Sequence, residues 1–240
     1  MIRDGDCDFV LAGGVDTCLV PEIVQGFANM LATISVGPRD RAWNDPTQAC
    51  RPFSIDRKGI VLAEGCGVVV VAADEALVRF GLTPRAEVAG VGWTSDAYHF
   101  TLPNPKTIIR TIKQAIEDAQ ITPADIGYVN AHGTSTAKGD KTEIECLRTI
   151  FNCHLGKVPV SSNKSQVGHT LGASAAIEAA RSIEAMQQGI VLPTVNHIPD
   201  PELADVDVVP NQARQHRNEF LLSNAFGFGG TNCCIVLKGV

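Results

Sequence analysis

Residues 126–151 read IGYVNAHGTSTAKGDKTEIECLRTIF, and a strand, a polar loop and a helix follow one another within them. Ile126 to Ala131 is a short apolar run of strand length that ends at His132. Asn130 to Thr136, NAHGTST, is small and polar, the composition of a loop. Asp140 is then placed to cap a helix that buries Ile144, Leu147 and Phe151, which recur at helical spacing. Strand, loop and helix in this order are the repeating unit of an α/β layered fold.

The alternation extends in both directions. Upstream, Asn104 and Pro105 open a helix whose apolar face is Ile108, Ile109, Ile112, Ala115, Ile116 and Ala119. Ala86 to Trp93 reads as a strand, and Asp74 to Phe80 as a short helix stopped by Gly81. Asp8 to Ala12 and Val68 to Ala72 are apolar without alternation, which predicts strands buried on both faces. Residues 29–59 are irregular and rich in Pro, Asp and Arg, and a loop of that length in a compact protein is often functional. Downstream, Val158 to Ser161, Phe220 to Ser223 and Cys234 to Leu237 read as strands. Residues 171–188 read as an alanine-rich helix ending at Gly189. The first element is a strand with no helix before it to cover it, so a preceding segment is expected to belong to the fold.

Composition narrows the function classes. The chain has 240 residues, 45% of them hydrophobic, enough for a sizeable core, and a net charge of -6, which disfavours nucleic acid as a partner of the whole surface. No apolar run approaches the ~20 residues of a membrane span, and Met1 to Asp6 has no apolar core of a secretory signal, so a cytoplasmic location is expected, or that of a mature organellar protein. The eight cysteines form no CxxC pair. They are expected to be mostly small buried apolar residues, with no metal site.

Chemistry is carried by three polar stretches that each follow a predicted strand: NAHGTST at 130–136, SSNKSQVGH at 161–169 and SNAFGFGGTN at 223–232. Loops at the carboxyl ends of strands are where α/β sheets gather their sites, so the three are expected to converge. The first brings a histidine, the second a lysine and a histidine, and the third glycines that let backbone N–H groups approach a developing oxyanion.

These three stretches, in this order and near this spacing, resemble the C-terminal motifs of the β-ketoacyl-acyl-carrier-protein synthases of the thiolase superfamily, type II elongating enzymes above all. The similarity reaches through Asp8–Asp16, Arg51–Val71 and Ser95–His99. It implies a thiolase-like αβαβα fold, incomplete here, with residues 1–82 as the end of the N-terminal half and 83–240 as the C-terminal half. It also implies a decarboxylative Claisen condensation of an acyl thioester with malonyl-carrier protein, in fatty-acid or polyketide synthesis. By the resemblance, His132 and His169 stand beside the malonyl thioester carbonyl, and Lys164 holds the histidines by charge. Glu178, Asp140 and Asn224 support them. Thr134 and Thr136 bond the phosphopantetheine arm, and Phe228, with Gly229 beside it, forms the gate and offers its backbone N–H as one oxyanion donor. The expected partners are acyl carrier protein, an N-terminal half or companion chain, and a second copy once complete. No cofactor of the protein's own is implied.

One departure stands out. The family's nucleophilic cysteine precedes the segment that Asp8–Asp16 resembles, and none of the eight cysteines here takes its place. The expectation is therefore a synthase fragment or split subunit, inactive in condensation by itself. The alternative is a non-catalytic partner of the chain-length-factor kind, or a decayed remnant. Retention of both histidines and the lysine favours the first. His99, His154, His197 and His216 read as structural, and Arg39 and Arg41 as parts of a solvated loop.

Overall fold

The computed structural model describes all 240 residues. In chain order the main elements are β1 (Phe9–Asp16), α1 (Pro21–Asn29), β2 (Gly65–Ala72), α2 (Asp74–Phe80), β3 (Glu87–Ser95), α3 (Pro105–Asp118), β4 (Ile126–Asn130), α4 (Ala137–Phe151), β5 (Val160–Ser161), α5 (Lys164–Val167), α6 (Ser174–Gln187), β6 (Ile190–Val191), β7 (Arg214–Gln215), β8 (Phe220–Phe226) and β9 (Thr231–Lys238). Five strands make one mixed sheet in the order β3-β9-β8-β4-β5. Strand β4 runs parallel to β5 and β8, while β9 is antiparallel to β3 and β8. The carboxyl ends of β4, β5 and β8 therefore leave the sheet on one side. Strands β1 and β2 form a separate antiparallel ribbon, Phe9 opposite Ala72 through Asp16 opposite Gly65.

Alternation along the strands divides the core in two. Val129, Leu222 and Val236 face α3 and α4, where they join Ile108, Ile112, Ile144 and Leu147 in the larger apolar cluster. Tyr128, Leu221 and Leu237 point the other way, with Ile183 and Met186 of α6 packed against them. Helix α6 also packs on β2 and β1, so it is sandwiched between ribbon and sheet. Helix α3 begins as its sequence predicts, with Asn104 Oδ1 accepting from Lys106 N at 3.1 Å and Pro105 at its first position. It buries Ile108, Ile112, Ala115 and Ile116, each isoleucine contributing roughly 1.5–3 kcal/mol. Strand β3 lies flush on it because Gly92 has no side chain: a Cβ there would overlap the Thr111 carbonyl oxygen.

Several expectations need correction. Strands β1 and β2 are covered on one face only: Val10, Ala12, Val69 and Val71 are half-buried on the face that α6 and the 171–173 turn cover, whereas Leu11, Val15, Val68 and Val70 are exposed. Asp140 does not cap α4. The cap lies four residues earlier, with Thr136 Oγ1 accepting from Gly139 N at 3.1 Å, because a threonine three residues before a glycine N–H already satisfies the first turn. The stretch 223–232 is mostly strand; only residues 227–230 turn. Helix α1, which the periodicity argument does not assign, buries none of its residues. Four of the eight cysteines are buried: Cys18, Cys50, Cys146 and Cys234.

Candidate active site

His132 stands two residues past the end of β4. The chain then turns through Gly133 at φ +32° and Ser135 at φ +69° before α4 begins. Glu143, buried on α4, reaches back under this turn. Its carboxylate accepts from the N–H of His132 at 2.9 Å and of Gly133 at 2.8 Å, and from Asn224 Nδ2 on β8 at 3.0 Å. Burial pushes the Glu143 carboxyl up, and these three donors oppose the push.

Beyond β5, Lys164 opens the single-turn α5, and Gly168 at φ +73° swings the chain to His169. Lys164 and Glu178 are each 1% exposed, with Nζ 2.6 Å from Oε1. Such a pair is stable only because each charge partners the other. Burial raises the Glu178 carboxyl and the ammonium draws it back. The same Nζ lies 3.4 Å from His132 Nδ1. An ammonium has no lone pair, so Nδ1 is the acceptor and the His132 proton sits on Nε2. His169 reaches the same state by another route. Leu171 N donates to its Nδ1 at 3.2 Å, and Ser174 Oγ lies 3.1 Å away, which again leaves the proton on Nε2. Burial, with Lys164 adding its charge, holds both imidazoles neutral, His132 well below its usual range and His169 down to about 3.

The two rings are 5.5 Å apart and nearly perpendicular, at 83°, and both line one cavity of about 630 Å³. Thr134 and Thr136, with hydroxyls 3.0 Å apart, line it too, as does Lys138 at its edge. The mouth is aromatic. Phe228 stacks on Phe27 with centroids 5.7 Å apart and leans on Phe100 at 5.8 Å. Next to it, the Gly229 N–H donates to the Phe100 carbonyl at 2.8 Å. Asp140 is buried outside the cavity lining. It accepts from Phe53 N at 2.9 Å, stands 3.8 Å from Arg57 Nε, and is raised to about 7 by burial.

Cys233 is the one cysteine in the cavity wall; it lies on β9, not at a helix N-terminus, and burial pushes its thiol up. Neither feature makes a nucleophile. His99 also reaches the mouth, with its Nδ1 accepting from the backbone N–H of Thr101 and Leu102 at 3.1 Å, a loop-forming role. Arg41 is pinned to Asp56 and the Asn196 carbonyl. Glu143 and Ser174 are the contributors that sequence reasoning passed over. Glu143 lies seven residues before Ile150 on a face that reads as ordinary amphipathic helix, and only its reach to the His132 N–H marks it.

Residues 1–76 match the family described as "Beta-ketoacyl synthase, N-terminal domain", and residues 85–197 match "Beta-ketoacyl synthase, C-terminal domain". The chain belongs to the β-ketoacyl synthase family. Among its relatives is the 3-oxoacyl-[acyl-carrier-protein] synthase 2 of Coxiella burnetii, 39% identical over 242 residues, which cover all of this chain and 57% of that protein. A β-ketoacyl synthase crystal structure from Burkholderia phymatum superposes with a TM-score of 0.91 at 38% identity, covering all of this chain and 56% of that one. A ketosynthase of a type II polyketide system, bound to its acyl-carrier protein and a hexaketide, superposes at 0.93 with 33% identity over all of this chain and 58% of that one. The mixed α/β layered fold is thus that of the thiolase-like ketosynthases. The chain spans a little over half the length of these family members. No helix is long and apolar enough to cross a membrane.

Proposed function

We propose that this chain supplies the enolate-stabilising and arm-binding part of a β-ketoacyl-acyl-carrier-protein synthase. The observation that carries the reading is that both Nδ1 atoms are occupied as acceptors, so two neutral Nε2–H donors line one cavity. A malonyl thioester carbonyl oxygen placed between them gains two hydrogen bonds that strengthen as charge develops. The bond to the terminal carboxylate breaks, carbon dioxide leaves, and its electron pair forms the enolate. The enolate carbon then attacks an acyl thioester, whose thiolate departs. Thr134 and Thr136 hold the pantetheine arm, and Phe228 shields the acyl side. The division at residues 82 and 83, acyl carrier protein as partner, pairing of complete copies and a cytoplasmic location are parts of the same reading. The ketosynthase described above with its acyl-carrier protein supports the partner.

The acyl group in this scheme must come on a cysteine outside this cavity's wall, since Cys233 has neither the place nor the activation for it. The purified chain is therefore expected to release carbon dioxide from malonyl-carrier protein without forming a condensation product. The double variant His132→Ala with His169→Ala should abolish that release. Condensation by the chain alone, or an acyl group found on one of its cysteines by intact mass, would overturn the reading.

A further inference from the structure

Residues 50–63, the end of the irregular stretch and the four residues after it, pack against both histidine loops. His169 is tied to them by two backbone bonds, its N–H to the Val61 carbonyl at 2.8 Å and its carbonyl to Ala63 N at 3.0 Å. The His132 side is held differently. Ser135 is left-handed, a strained state for a residue with a side chain, and such strain persists only where neighbours over-determine it. Arg51 N donates to Ser135 Oγ at 3.2 Å, and Gly59 N to the Ser135 carbonyl at 2.8 Å. Between them sits Phe53, itself left-handed at φ +59° and fully buried. The point where a side chain on Gly133 would begin lies 2.7 Å from Ser162 Cβ and 3.0 Å from the Phe53 ring carbon Cε2, and Ser162 Oγ donates to the Gly133 carbonyl at 2.7 Å. The ring and Ser162 together fill the space that the glycine leaves open, Ser162 with a hydrogen bond and Phe53 by packing alone.

This matters because the two imidazoles are not equally secured. His169 Nδ1 takes its bond from Leu171, two residues along its own loop. His132 Nδ1 depends on Lys164, from a different loop, across 3.4 Å, near the outer limit of a hydrogen bond. A small shift of the Gly133 turn breaks that contact and leaves the His169 one alone. We propose that Phe53 is a positioning residue for His132: by filling the space against Gly133, it holds the turn that keeps Nδ1 on Lys164 and the proton on Nε2. The inference rests on the reading of His132 as an Nε2–H donor to the substrate.

The test is long-range proton–nitrogen NMR of the full chain labelled at histidine. In the unmodified chain, His132 and His169 should each show one tautomer, protonated at Nε2. In Phe53→Ala, the ratio of Nε2–H to Nδ1–H at His132 should fall severalfold while His169 is unchanged. An unchanged His132, or equal loss at both histidines, overturns the proposal. Should Phe53→Ala fail to fold, Phe53→Leu is judged by the same two criteria, with a smaller fall expected. Malonyl-carrier decarboxylation by the unmodified chain is measured alongside. Its absence would sink the functional reading while the spectra still decide the role of Phe53.

Discussion

Strands β4 and β8 and strands β1 and β2 draw on the same vocabulary of Val, Leu, Ile, Ala and Gly, yet the first pair is covered on both faces and the second on one. Helices α3 and α4 close one side of the sheet and α6 the other, so Val129 and Leu222 have no exposed surface. The ribbon is covered by α6 and the 171–173 turn on one face, and on the other Leu11 and Val70, opposite one another, stand 76% and 66% exposed. The covered pair is where the chain places charge at depth, with Lys164, Glu178, Glu143 and Asp140 all buried beside it. Burial of that kind needs surroundings that supply partners from several elements, which the sheet has and the ribbon lacks.

The largest expected effect tests the partnering. Lys164→Met leaves Glu178 alone in the interior and should cost about 3–5 kcal/mol in urea unfolding, much of it recovered when Glu178→Leu is added. A single variant within experimental error of the unmodified chain would show that the pair is not a closed unit.

Next come two glycine substitutions, one in each region. Gly92→Ala would push into the Thr111 carbonyl, and Gly67→Ala would bring a carbon 2.5 Å from Ile177 N of α6. Each overpacking should cost about 1–3 kcal/mol. Hydrogen exchange should separate them: Gly92→Ala should raise exchange across the five-stranded sheet, and Gly67→Ala only in β1 and β2. Equal effects everywhere would break the comparison and make ribbon and sheet one cooperative unit.

The pH dependence sharpens it further, because a buried group of the site and one beneath it act in opposite directions. His169 is depressed to about 3 against an unfolded value near 6.5, so its contribution is full above that value and is lost as pH falls through the window. Asp140 is raised to about 7 against about 3.9 unfolded, so its contribution is full at low pH and lost as pH rises. Between pH 7 and pH 5, His169→Gln should therefore lose less stability than the unmodified chain and Asp140→Asn more, by up to about 1.4 kcal/mol per pH unit each. Equal slopes in all three proteins would remove the burial argument for both groups.

The smallest effect lies on the open face. Leu11→Thr and Val70→Thr should each change stability by no more than about 0.5 kcal/mol, since neither side chain is packed. Monomers rarely leave contiguous apolar patches of several hundred Å² in water, so the unmodified chain is expected to self-associate in light scattering and the double variant to do so less. A monodisperse monomer at all concentrations would show that this face is tolerated as it stands.

How much of this was legible in the residues themselves differs by kind of signal. Helix α3 could be read nearly to the residue, because cap, proline and apolar stripe are all local. The three polar stretches could be placed at one edge of a sheet because strands alternate with helices, and the parallel pairing of β4 with β5 and β8 brings them there. What failed, failed for want of local evidence. Thr136 and Asp140 are both good caps on paper, and only the backbone path through Gly133 and Ser135 selects Thr136.

By itself the chain determined most of its elements, the family pattern and the residue types available to the cavity, since periodicity, caps and glycines act over a few neighbours. Tertiary structure alone decided which nitrogen of each histidine bears the proton, because Lys164 and His132 are 32 positions apart and meet only when β4 and β5 pair. It alone decided that Glu143 clamps the His132 turn and that Phe53, from a stretch with no periodicity, closes the space against Gly133. Burial and hydrogen bonding between distant segments set proton positions and ring orientations, and no window of sequence contains both partners.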